Sequence, residues 1–89
     1  DIKAPFVKES HLKIACELKE KFDIQSNGTH FIVGQINYID LPESVIATDG
    51  YVDIEAAGTI TCSGLDSYHK TTRIARYSYP KPDHKPKQI

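Results

Sequence analysis

The feature that most constrains this chain is a pair of alternating runs on either side of Ser26-Asn27-Gly28. From Leu12 onward, Leu12, Ile14, Cys16, Leu18 and Phe22 fall on one face of a two-residue period, with Lys13, Glu17, Lys19 and Lys21 on the other. A helical period would leave Ile14 off the apolar stripe, so the spacing predicts a half-buried strand. Asn27 and Gly28 tolerate the positive φ of a tight hairpin connection, and an antiparallel partner is expected to follow. Thr29 to Leu41 has the composition of that partner: it is rich in β-branched and aromatic side chains and apolar on both faces at its start, as in a central strand. Gly34 in its interior predicts a bulge, with close approach of another group to the backbone as the alternative.

The remaining chain reads as short elements. Pro42 to Ile46 is expected to form one helical turn or an irregular link, and Asp49-Gly50 a turn. Asp53 to Ala57, followed by Gly58, has the pattern of a very short helix with a glycine C-cap. Thr59 to Ser63 resumes alternation with Ile60 and Cys62 inside, and Gly64 to Ser67 turns the chain. Neither period fits Tyr68 to Tyr79. Three prolines, Pro80, Pro82 and Pro86, and no apolar periodicity predict an extended or mobile tail over 83–89, leaving 1–82 as part of one domain.

At 89 residues the chain holds at most one domain. It starts at Asp1 and contains no methionine, which predicts a processed chain or a piece of a longer one. Its net charge of -1 argues against a protein that coats nucleic acid or membrane. The charge is unevenly spread, however: residues 1–67 carry five basic and eleven acidic groups, whereas 68–89 carry six basic groups against Asp83. No apolar run approaches the roughly 18 residues of a membrane span, so no membrane partner is expected. Cys16 and Cys62 lie in apolar alternations and are expected to be buried, reduced thiols, which points to the cytoplasm. Asn27-Gly28-Thr29 forms a glycosylation sequon, but Asn-Gly is better read as a turn.

His11, Cys16, His30, Cys62, His69 and His84 show no zinc-ligand spacing, so no metal is expected. No glycine-rich phosphate loop is present. Tyr68, Tyr77 and Tyr79 interleave with Lys70, Arg73 and Arg76, a pattern able to stack bases and meet phosphates in a small nucleic-acid-binding barrel. The plainer reading, a solvated basic edge whose tyrosines close a core, is preferred.

The stretch Asn27-Gly28-Thr29-His30-Phe31-Ile32-Val33-Gly34-Gln35-Ile36, then Leu41-Pro42-Glu43, then Asp49-Gly50-Tyr51-Val52-Asp53, resembles the C-terminal half of the flavin reductase-like family. The family fold is an FMN-binding split β-barrel. Ser63 to His69, followed by Arg73 to Pro82, is similar to the closing segment of a flavoredoxin-like branch. The resemblance covers residues 3–82. It implies a mainly β fold, the C-terminal portion of a Greek-key split barrel with one or two short helical turns. It also implies a homodimer and a partner in the N-terminal half of the same domain, which would hold most of the cofactor's phosphate and ribityl contacts. The implied whole protein is an FMN-dependent oxidoreductase using NAD(P)H or another donor, the chain alone being inactive; a non-catalytic flavin-binding protein is the alternative on this fold. His30 matches the histidine of the family's Gly-x-His strand, near the flavin and nicotinamide. Tyr68, His69, Lys70 and Arg73 are the expected cofactor contacts, with His30 and His69 as catalytic candidates; the preferred alternative for Arg73, as for Arg76, is to hold a dimer edge or an internal carboxylate. Without the resemblance, His30 reads as a strand-opening histidine bonded to a neighbouring loop, and Tyr68 as a core tyrosine.

Overall fold

The computed structural model describes residues 2–89 as two units, the first ending at Asp53 and the second spanning Ile54–Ile89. The fold is mainly β. In the first unit, β1 (Lys13–Ile24) pairs antiparallel with β2 (Thr29–Asp40), as the alternation predicts. The connection is closed by the Gly28 amide donating to the Ile24 carbonyl at 2.9 Å, with Gly28 at φ 69°. Asn27 Oδ1 accepts from the Thr29 amide at 3.2 Å and from its hydroxyl at 2.6 Å, so the side chain substitutes for the turn's missing backbone partners.

The register shifts twice. Asn37 has no residue opposite it, because Ala15 faces Tyr38 while Cys16 faces Ile36; Lys19 has none either, because Leu18 faces Gly34 while Glu20 faces Val33. Residues directly opposite share a face, and an unpaired residue flips the alternation beyond it. Ile14, Cys16 and Leu18 therefore share a face with Ile39, Ile36 and Gly34, whereas Phe22 lies on the other face with Phe31, their rings 6.2 Å apart. This corrects the single stripe expected from Leu12 to Phe22. One bulge does fall beside Gly34, with the extra residue, Lys19, on the facing strand next to Leu18; Gly34 also allows a close approach, since a Cβ there would stand 3.0 Å from Cys16 Cβ and 3.7 Å from its Sγ.

Past β2, a single 3-10 turn spans Glu43–Val45 and buries Val45. The Asp49-Gly50 turn follows, with Gly50 at φ 87° and an Ile46–Val52 bridge closing it. In the second unit, the Thr59 amide donates to the Ile54 carbonyl and the Gly58 amide to the Glu55 carbonyl, at 2.9 and 3.0 Å. This is the double bond of a glycine-capped helix end, formed on one turn with no regular helix before it. Then β3 (Thr61–Ser63) pairs antiparallel with β4 (Ser67–His69) across Gly64-Leu65-Asp66. Residues 83–89, expected to be an extended or mobile tail, turn at an Lys81–His84 bridge and run back along residues 76–78. The Ser78 amide donates to the Lys87 carbonyl at 2.7 Å, and the Ile89 amide to the Arg76 carbonyl at 2.8 Å.

Val45 and Ala57 are the buried hydrophobic residues among those described. Leu18, Phe31 and Ile32 on the hairpin are more than 60% exposed, and Ile60 and Cys62, expected inside, are exposed. Neither sheet closes: each has two strands.

Gly34→Ala is expected to lower the stability of the folded protein by about 1–3 kcal/mol, since the atom it must displace is a Cβ next to backbone and not the end of a flexible side chain. Urea unfolding would show a lower midpoint with unchanged slope; an unchanged midpoint would mean that Cys16 does not lie over Gly34.

Candidate functional site

Each candidate is placed by hairpin geometry. His30, second residue of β2, stands opposite Asp23, and its Nδ1 lies 2.7 Å from Asp23 Oδ1. Lys21 Nζ reaches the same oxygen at 3.6 Å. All three side chains are half-exposed or more, so the pairing contributes at most about 1 kcal/mol to stability. The partner is a cross-strand carboxylate, not the neighbouring loop expected from sequence.

Tyr68 and His69 are the last two residues of β4, and strand alternation sends them to opposite faces of the β3–β4 hairpin. Tyr68 stands opposite Cys62 and is 67% exposed, unlike a core tyrosine. His69 stands opposite Thr61, and its Nε2 lies 2.8 Å from Ser63 Oγ. Lys70 lines a cavity of about 200 Å³ with Glu55, Gly58, Thr59, Ile60 and Thr71. Thr71 Oγ1 is buried there with no hydrogen-bond partner among the described residues. Arg73 is exposed on the irregular segment after β4. The fold thus gathers Lys70 with Thr71, and His69 with Ser63, while separating Tyr68 from His69 by face; His30 belongs to the other unit.

Asp23, Ser63 and Thr71 were missed from sequence. Asp23 was legible: counting outward from the turn, Ile24 and Thr29 form one pair, and Asp23 and His30 the next. The same count from Gly64-Leu65-Asp66 pairs Ser63 with Ser67 and Thr61 with His69, so the Ser63–His69 contact is a diagonal one on a shared face. Nothing in the pattern marks Thr71.

Both cysteines are free and exposed, a correction to the buried thiols expected from alternation. Beside Cys16 an open groove of about 440 Å³ is lined by Ile14, Cys16 and Asn37 of the hairpin and by the N-terminal segment that includes Ile2 and Phe6. No group of three or more His, Cys, Asp and Glu side chains able to hold a metal occurs among the described residues. No helix among them is long and apolar enough to cross a membrane.

No family model and no curated protein matches the chain. A solved structure does. It is described as a "putative flavin reductase with split barrel domain" from Shewanella frigidimarina NCIMB 400, and it matches over 85% of this chain at 39% identity with a TM-score of 0.78. The chain carries part of a flavin reductase-like split barrel. It spans 38% of the length of that relative. The two open sheets and the uncovered apolar strands are those of a partial barrel.

The 89-residue chain is expected to expose two thiols per molecule to Ellman's reagent without denaturant. Fewer than two would mean that a strand face is covered within the chain itself.

Proposed function

We propose that this chain is the C-terminal portion of a cytoplasmic, homodimeric, FMN-binding oxidoreductase of the flavoredoxin-like kind, taking electrons from NAD(P)H or another reduced donor. The observation that carries the reading is the match at 39% identity and TM-score 0.78 to a split barrel described as a flavin reductase. When bound, FMN would accept a hydride or electrons on its ring and pass them to flavin or a protein acceptor.

The described residues suit such a group. The orphaned Thr71 hydroxyl, beside the Lys70 ammonium and the Glu55 carboxylate, offers a donor and acceptors to a hydroxyl-bearing chain of the ribityl type. Tyr68 presents an exposed aromatic face on which a planar ring can stack. Arg73 and Lys70 supply the positive charge that favours an anionic reduced ring or a phosphate. His30 and His69 supply ring nitrogens for hydrogen bonding at the reacting groups, and Ser63 holds the orientation of His69.

In the full-length protein, FMN titration followed by flavin fluorescence is expected to show saturable binding, weakened about tenfold (roughly 1.4 kcal/mol) by Tyr68→Ala and by Lys70→Ala. Stopped-flow mixing with NADH is expected to bleach the yellow band of the bound flavin. Absence of FMN binding would overturn the reading. Binding without bleaching by any reduced donor would replace it with a flavin-storing protein on the same fold.

A further inference from the structure

We infer that Asp23 is a positioning residue that fixes the ring of His30 in one tautomer, with Nε2 as the nitrogen offered to a bound group. A carboxylate only accepts hydrogen bonds, so the 2.7 Å contact between Asp23 Oδ1 and His30 Nδ1 requires the proton on Nδ1. In the neutral ring the Nε2 lone pair is then the free acceptor. The arrangement is held by backbone register: Asp23 and His30 are directly opposite, one pair in from the Ile24–Thr29 pair that closes the hairpin. Lys21, 3.6 Å from the same Asp23 oxygen, adds an exposed ion pair to that carboxylate, while the side of the sheet on which Asp23 lies is set by strand register.

Ion pairs this exposed add little to stability, so the consequence of the contact lies in ring orientation. An acceptor of fixed direction suits an amide or imide N–H, the donor that a nicotinamide carboxamide or the flavin pyrimidine ring presents. That role for Nε2 rests on the flavin reading above; the tautomer does not.

The test is long-range ¹H–¹⁵N NMR of the histidine rings in the protein, paired with NADH-driven flavin reduction. The native ring is expected to be protonated on Nδ1 and bare on Nε2 in its neutral form. Asp23→Ala should lose that preference and lower the reduction rate by on the order of tenfold, the scale of losing a partner that orients a histidine. Asp23→Glu should recover part of both. Lys21→Ala, which removes an ion pair on the same carboxylate without touching the ring, should change neither, and it separates orientation from hairpin stability. A neutral His30 protonated on Nε2 in the native protein, or the same tautomer in Asp23→Ala, would overturn the inference whether or not flavin binds. A tautomer that changes in Asp23→Ala with no change in rate would remove Nε2 from the reaction and overturn the functional half, while FMN binding continued to support the flavin reading.

Discussion

A two-stranded ribbon has no interior, and the β1–β2 hairpin depends on surfaces beyond its own partner strand. Ile14, Leu18, Phe22, Phe31, Ile36 and Ile39 are all between 45% and 61% exposed or, for Leu18, 62%. Fully burying a side chain of this size is worth about 1.5–3 kcal/mol, so covering the roughly half of each of the six that is still exposed represents about 5–9 kcal/mol, an upper estimate comparable with the net stability of a typical domain. Backbone pairing fixes the register of these residues, but cover by further layers makes the register worth having. The match to a longer split barrel supplies a physical reason for the open sheets: the strands carry the hydrophobic pattern of a larger core than the described residues contain.

The Lys19 bulge decides where that cover must come from. Before it, the face bearing Ile14, Cys16 and Leu18 is apolar; beyond it, the same face carries Lys21, Asp23 and His30 beside Ile32, and the aromatic pair Phe22–Phe31 has moved to the other side. One hairpin therefore asks for apolar neighbours on opposite sides at its two ends. The polar triad at the turn end is a result of this exchange, since the flip that takes Phe22 away leaves Lys21, Asp23 and His30 together on a face that also carries Ile32. Gly34, facing Leu18 at the start of the exchange, lets Cys16 close over the strand where the register changes.

The hairpin, its turn, the 3-10 turn and the glycine cap were legible because each rests on local chemistry: a two-residue period, residues that accept positive φ, and a glycine after a polar-apolar turn. The faces were legible only in part. Skipping from Leu18 to Phe22 required Glu20 to occupy an apolar position, and that misfit is the trace of the bulge at Lys19. Burial failed as an expectation for Cys16, Cys62 and Ile60 because alternation reports which side of a strand seeks cover, not whether the cover lies within the same 89 residues. The segment after His69 was unreadable for a related reason. Ile74 is 98% exposed and Tyr79 82%, so these side chains follow no internal face whose period could be detected.

The candidate residues were found by type and motif, but their grouping came from pairing. Sequence adjacency makes Tyr68-His69 look like one unit, whereas β geometry turns the two side chains apart and ties His69 to Ser63, six residues back. Likewise His30 is tied to Asp23 across the turn and not to its sequence neighbours. In both hairpins a histidine is held by an oxygen from the facing strand, near a turn whose glycine fixes the count between them. The pairing is consequently more sensitive to turn length than to the identity of intervening residues: inserting one residue at Gly28 or Gly64 would slide each histidine past its partner and, because the side-chain period is two, send it to the opposite face.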